Sequence, residues 1–290
     1  MAAFTETKDT TVSHKVVQAT SRQDFATSGV SADGTFKYLV VADSHGGGHF
    51  NKYIFTNLFS QIDWREFLQT ENFVDEILQK INILFQGKDV LRGLGTTLSI
   101  CKIFPDKFCC YWAGDSSIKI YKNGSEFWKT KDHDVFNEEE ISRIKTSCQY
   151  FIKTSDAKDV RVLNSSLIEQ IPSYYFWFRK DGKMEKFNMP HCLGHYQASG
   201  EFMSRETILR DNQEDKYKVV AGSDGFWGMT CDTDIEFISS DENKSEQLVE
   251  FSKQRWLKKW QFKDANGKIW NDIKFPDHNV DDIAVACYVE

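Results

Sequence analysis

Apolar residues recur along this chain in two rhythms, and the changes between them separate sheet-forming from helix-forming stretches. Short continuous runs at Phe36 to Ala42, Leu98 to Phe104, Phe108 to Gly114, residues 217 to 222 and Ile283 to Val289 read as strands, the run Leu39 to Ala42 as a buried one. A first strand is expected at Val16 to Ala19, after a frayed tail over residues 1 to about 12. From Phe50 to Ile62 and from Trp64 to Phe85 the spacing becomes helical, with Phe67, Leu68, Val74, Ile77, Leu78, Ile81 and Leu84 on one side. That predicts two helices whose aromatic residues are core. Further helices are expected at Asn137 to Thr146, with Asn137 as N-cap and acids in the first turn, and at Ser239 to Lys259.

Turn residues connect the runs. Ser31-Ala32-Asp33-Gly34 joins Ser21 to Phe25 to the strand at Phe36 as a hairpin, which brings Asp24 beside Asp43, while Asp33 itself is a turn residue. Pro105-Asp106 and Lys122-Asn123-Gly124-Ser125 close two more hairpins, the second leading into Glu126 to Trp128. The aromatic run Tyr174 to Phe178 ends in a turn at Lys180 to Lys183 and is read as core, an exposed recognition flap being the other reading. Lys263 to Pro276 looks like an insertion or a hairpin, and Lys253, Arg255, Lys258 and Lys259 are read as a solvated face. Strands come in clusters with the longer helices between them, so the expected class is α+β with mainly antiparallel sheet in a single domain over residues 1–290.

Several strands run into acids. Leu39-Val40-Val41-Ala42 leads to Asp43-Ser44-His45-Gly46-Gly47-Gly48; Cys110 to Gly114 leads to Asp115; Val219 to Ser223 leads to Asp224; and Asp281-Asp282 opens the last strand. One such turn is a weak signal. Repeated at distant positions, it is what a carboxylate-lined site for hard divalent cations requires if the strand ends converge. The remaining composition narrows the classes. A formal net charge of −7 argues against a nucleic-acid surface as the main function, and G-x-G-x-x-G and G-x-x-x-x-G-K-[ST] are both absent. Seven cysteines without C-x-x-C spacing fit buried thiols in a reducing compartment, and no segment is apolar for long enough to cross a bilayer. A cytoplasmic or nuclear monomer with no membrane or nucleic-acid partner is expected.

The order of these blocks resembles the metal-dependent serine/threonine protein phosphatases of type 2C, from about residue 16 to 290. The resemblance is carried by Gln23-Asp24-Phe25, Val41 to Gly47, Gly95-Thr96-Thr97, Trp112 to Ser116, Lys131-Asp132-His133 with Glu140 and Ser142-Arg143-Ile144, Cys192-Leu193-Gly194, Ala221 to Trp227, and Val280 to Val285. It implies a four-layer α-β-β-α sandwich with a metal cluster in the cleft at one end of the sheets, acting on phosphoserine and phosphothreonine in proteins. By position it implies that Asp43 bridges two Mg²⁺ or Mn²⁺ ions. The Ser44 carbonyl completes one ion's site, Asp224 and Asp281 hold the other, Asp24 acts through metal-bound water, and Asp115 belongs to a third, weaker site. His45 matches the general acid, a suitable role for an imidazole. Two cations about 3.5–4 Å apart are expected to stabilise the phosphoryl oxygens and acidify a water.

Departures from the family pattern are also legible. The phosphate-gripping arginine falls in register on Ala19, leaving Arg22 as its nearby substitute; Asp282 stands for asparagine, Ser44 for glycine, Ser117 for arginine and His195 for aspartate. The expected activity is therefore metal-dependent phosphoester hydrolysis, with an inactive scaffold of the same fold as the alternative and an unrelated metal-dependent hydrolase as a third reading.

Overall fold

The computed structural model describes residues 11–19, 22–46, 53–85, 94–134, 137–147, 150–154, 159–180, 183–187, 191–194, 202–212 and 214–290. Two five-stranded antiparallel sheets form its centre. One has the order β1 (Val12–Val17), β19 (Ile283–Val289), β16 (Tyr217–Gly222), β8 (Ser117–Lys122), β9 (Ser125–Lys129). The other has the order β15 (Ser204–Leu209), β7 (Lys107–Ala113), β6 (Leu98–Ile103), β3 (Lys37–Ala42), β2 (Phe25–Val30). Alternation along each strand divides its side chains between two cores. Leu39, Val41, Cys101 and Cys110 meet Ile118, Ile120, Val219, Ala221, Ala284 and Ala286 between the sheets.

The outward residues of the same strands are equally buried, which is why the runs are apolar without a break. Val40, Ala42 and Ile100 pack under α1 (Ile54–Ser60), α2 (Trp64–Phe67) and α3 (Phe73–Phe85) through Phe55, Phe59, Trp64, Ile77 and Ile81. Val220, Val285 and Cys287 pack under α5 (Asp224–Trp227), α6 (Ile235–Ser239) and α7 (Ser245–Leu257) through Phe226, Ile238, Leu248 and Trp256. Helices thus cover both outer faces, giving the expected α-β-β-α order. α4 (Glu138–Ser147) starts as expected, with Asn137 Oδ1 accepting the Glu139 N–H at 3.1 Å.

Smaller sheets flank this centre. β4 (Ser44–His45) pairs with β5 (Gly95–Thr96), and Thr96 in turn bridges Leu193. β10 (Tyr150–Thr154), β13 (Ser173–Lys180) and β14 (Lys183–Phe187) make a three-stranded sheet, so the aromatic run at 174–178 belongs to neither central sheet. Its side chains, like Gly47, Gly48, Cys148, the turn residues 181–182 and His195, lie outside the described residues. β11 (Val160–Val162), β12 (Leu167–Gln170), β17 (Lys259–Lys263) and β18 (Ile269–Lys274) form a four-stranded sheet, which resolves residues 263–276 as part of a hairpin.

Several expectations are corrected. The first strand spans Val12–Val17, because it pairs along β19 from Val12↔Tyr288 to Val17↔Ile283. The helix expected from Trp64 to Phe85 is broken over 68–72, where Gln69 N–H and Thr70 N–H bond back to Glu66 and Phe67 carbonyls at 3.0 and 3.2 Å. The helix expected from Ser239 begins at Ser245, since α6 and a turn occupy the preceding residues. Arg255 is not on a solvated face: it is 6% exposed and forks onto Asp234 at 2.6 and 2.7 Å, while its Nη1 also donates to the Met229 carbonyl.

Candidate active site

Antiparallel pairing puts strand ends side by side, and the acids sit at those ends. Phe25↔Ala42 places Asp24, just before β2, next to Asp43, just after β3. In the other sheet Gly222↔Val285 places Ser223 and Asp224, just after β16, against Asp281 and Asp282, just before β19. Gly225 allows a further approach. A Cβ there would lie 1.9 Å from the Asp282 carbonyl oxygen, so only glycine lets the start of α5 rest on the Asp281–Asp282 backbone.

The sheets are tied together at this end. Ser223 Oγ donates to Asp24 Oδ2 at 2.7 Å and accepts the Ala284 N–H at 3.0 Å. The backbone of Asp43 is gripped by the Gly95-Thr96-Thr97 block: its N–H donates to Thr97 Oγ1 at 2.9 Å and its carbonyl accepts the Thr97 N–H at 2.7 Å. Thr97 Oγ1 also pairs with Ser116 Oγ at 2.5 Å, so the residues after β7 brace the residue after β3. Gly114, at φ +92°, makes the required bend, and a Cβ on it would lie 2.6 Å from Thr97 Cγ2.

The result is a crowd of acids in which no cationic side chain is among the groups that shift Asp24, Asp43, Asp115 and Asp281. Burial first, then Asp224, Asp282 and Asp281, holds the carboxyl of Asp24 well above the usual carboxylate range, against the Ser223 hydrogen bond. Burial, then Asp24, Asp224 and Asp281, does the same to Asp43. Burial, then Asp224, pushes Asp281 up to about 8. Burial, then Asp224 and Asp132, raises Asp115, and burial raises Asp132 to about 6 although it accepts from Ser117 and Thr130 hydroxyls. Asp115 Oδ1 and Asp224 Oδ1 are buried with no hydrogen-bond partner.

Asp24, Asp43, Asp224 and Asp281 are therefore brought together, and Asp115 joins them through Asp224. Ser44 lies in extended β4 with Oγ 3.1 Å from Thr96 Oγ1, and its φ is not positive, as use of its carbonyl requires. His45 stands two residues past Asp43, its Nε2 3.5 Å from Cys192 Sγ. Arg22 is exposed at φ +57° and takes no part in the interactions that shift the carboxylates. The sequence did not point to Ser223 or to the part played by Asp282. The Asp282 carboxylate, 1% exposed, accepts the N–H groups of Ala19 at 2.5 Å and Gln23 at 2.7 Å, fixing the loop that carries Arg22.

Buried carboxylate oxygens lacking donors are the chemistry a hard divalent cation takes. Among the described residues no group of three or more His, Cys, Asp or Glu side chains forms a shell that could hold a metal ion. Mg²⁺ binds through one or two carboxylates and keeps several waters, so the donor set fits without such a shell.

A two-sheet sandwich with its acids gathered at one end defines the phosphatase 2C fold. The chain belongs to that family: residues 4–167 match the family described as "Protein phosphatase 2C". Among solved structures it is similar to a C. elegans sex-determining protein (14% identity, TM-score 0.60, covering 96% of this chain and 64% of that one). It is also similar to the S. agalactiae serine/threonine phosphatase (20%, TM-score 0.56, covering 96% and 99%). A third is the catalytic domain of the serine/threonine protein phosphatase PstP in complex with two manganese ions (14%, TM-score 0.53, covering 96% and 97%). At these identities the likeness is one of fold. Comparison with curated protein sequences finds no match. Among the described residues no helix is long and apolar enough to cross a membrane.

Proposed function

We propose that this chain hydrolyses phosphoserine and phosphothreonine in proteins, using divalent cations held by Asp43, Asp224 and Asp281. The observation that carries this reading is the set of buried acids from five separate segments, packed together against their own repulsion with two orphaned oxygens. Keeping like charges buried is costly unless a cation offsets them. Asp24 would act through water, Asp115 and Asp132 would border a further ion, and the Ser44 carbonyl would complete a first. The PstP domain that shares this fold holds two manganese ions. Bound here, Mg²⁺ or Mn²⁺ supplies Lewis-acid stabilisation of phosphoryl oxygens and a water that ionises near neutral pH.

The chain's own groups do the rest. His45, fixed by β4–β5 pairing, donates a proton to the departing serine or threonine oxygen, a poor leaving group otherwise. Arg22, presented on the loop braced by Asp282, meets the incoming phosphoryl group.

The test compares wild type with Asp43→Asn on p-nitrophenyl phosphate and on a phosphothreonine peptide, with and without Mn²⁺. Metal-dependent turnover in the wild type, lost in the variant, is expected. Equal rates in both leave a scaffold of the same fold. His45→Ala is expected to slow the peptide more than the activated aryl ester, and Arg22→Ala to raise KM. Equal losses for the two substrates refute the proton donor, and an unchanged KM refutes the phosphate contact.

A further inference from the structure

The hairpin of β17 and β18 carries an irregularity that has no part in the carboxylate site. Trp260 pairs with Ile273 and Phe262 with Trp270, so β18 contains one more residue than β17 over this interval, and Asp272 sits there at φ +56°. Outside the left-handed region Trp270 and Ile273 would face opposite sides of the sheet. The bulge turns both to the side of Trp260 and Phe262. Trp260 is buried at 1% in the core beneath α7, but Trp270 and Ile273 remain 45% and 39% exposed. Together with Phe262 they line a shallow depression of about 330 Å³. An aspartate held at positive φ to aim two large apolar side chains at solvent is a feature that folding does not require.

The indole is also preorganised. Trp270 Nε1 donates to Asp264 Oδ2 at 3.0 Å, and the Lys268 ammonium lies 3.6 Å from the ring centroid. β18 is the outer strand of its sheet among the described residues, so its far edge offers backbone donors and acceptors. The surroundings are basic on an acidic protein: residues 258–276 contain five lysines and two aspartates, while the whole chain carries −7. Among the described residues Lys259 and Lys274 pair with exposed Asp272 and Asp277 at 3.5 and 3.9 Å and Lys263 with the less exposed Glu169 at 3.4 Å, and exposed pairs exchange readily for another acid. Finally, Asp281 lies seven positions beyond Lys274, so the strand end lies within about 25 Å of the carboxylates.

We propose that the β18 edge with Phe262, Trp270 and Ile273 is a docking site for an extended segment of the substrate protein, with apolar side chains at alternate positions and acids between them. The segment adds as a further strand, its apolar residues seated on the Trp270–Ile273 shelf and its acids on the lysines, while its phosphorylated residue reaches the cleft. This rests on the phosphatase reading for the word substrate, but the surface binds whether or not turnover occurs.

The experiment therefore begins with binding. An unphosphorylated peptide alternating glutamate and isoleucine is titrated onto the full chain by calorimetry, beside one alternating lysine and isoleucine. The glutamate peptide is expected to bind at least tenfold more tightly to wild type than to Trp270→Ser/Ile273→Ser, and the lysine peptide not to bind. Lys259→Glu/Lys274→Glu, which leaves the apolar shelf intact, is expected to reverse the preference. A phosphothreonine peptide carrying the glutamate extension is then expected to show a KM roughly tenfold lower than the bare peptide, with p-nitrophenyl phosphate turnover equal in wild type and both variants. Glutamate-peptide affinity that neither variant changes overturns the proposal. So does a Trp270-dependent dimer in sedimentation, which assigns the shelf to a second copy. Binding without turnover in any protein keeps the docking surface and removes the phosphatase; turnover without an extension effect does the reverse.

Discussion

If the acids at the sheet ends are a cation site, the cation-free protein is strained by them, and removing one charge stabilises it. Asp281→Asn isolates this effect, because the amide oxygen can still accept the Asp282 N–H that Oδ1 accepts at 2.9 Å. Burial and Asp224 hold the Asp281 carboxyl at about 8, against an ordinary value of 3.8. A group raised in the folded state contributes stability below its ordinary value and loses it as pH rises through the folded value. At about 1.4 kcal/mol per pH unit, roughly three units are crossed by pH 7, so at most about 4 kcal/mol is lost there. Asp224 shares the repulsion, and a gain of about 2–4 kcal/mol is expected for the variant.

The assay is urea unfolding followed by tryptophan fluorescence, in chelator, at several pH values between about 4 and 8. The variant is expected to be the more stable protein at neutral pH, by a margin that grows toward pH 8 and vanishes near pH 4. Titrations of groups that Asp281 does not shift are common to both proteins and cancel in the difference, while those of Asp24 and Asp43, which Asp281 raises, change in the same stabilising sense. Saturating Mn²⁺ is expected to narrow or reverse the order, since a cation at a hundred times its Kd adds about 2.7 kcal/mol to a protein that binds it. A variant less stable than wild type in chelator at pH 8, or a margin that does not change with pH, refutes the reasoning.

Other perturbations test the surrounding structure. Asp234→Ala leaves the Arg255 guanidinium buried and uncompensated and is expected to cost about 3–5 kcal/mol in urea unfolding, most of it recovered when Arg255→Met is added. Burial, assisted by Arg143 beside His133 and by His133 beside His191, holds both rings down to about 4; their stabilising effect is present above about pH 6.5 and lost as pH falls toward 4, by at most about 3 kcal/mol each. NMR titration is expected to show neither ring protonating near 6.5. Gly225→Ala drives a Cβ into the Asp282 carbonyl and is expected to separate Asp224 from Asp281, costing about 1–3 kcal/mol and the metal-dependent turnover together.

How much of this was legible in the chain depends on the range of the interaction. Strands such as Lys37–Ala42 announce themselves because both faces are buried, and the Asn123-Gly124 turn because its residues tolerate φ of +50° and +84°. The break over 68–72 was hidden, since Leu68 continues the helical spacing of Trp64 and is buried where the chain has already turned. Arg255 looked solvated because its neighbours are lysines; its partner Asp234 lies 21 positions earlier, and nothing local marks the pair. The strand-end acids were readable because each follows or precedes an apolar run. Their mutual repulsion appears only when the runs are folded against each other.

The departures from the family pattern were legible one at a time and not in relation to each other. Asparagine gave way to Asp282, and an arginine's register fell on Ala19, 263 positions away. In the structure these meet: one carboxylate oxygen takes the Ala19 N–H and the other the Gln23 N–H. A carboxylate offers two acceptors to two donors, whereas an amide would set its own NH₂ against one of those backbone N–H groups. The second acid beside Asp281 thus braces Ala19 and Gln23, on either side of the exposed Arg22 at φ +57°.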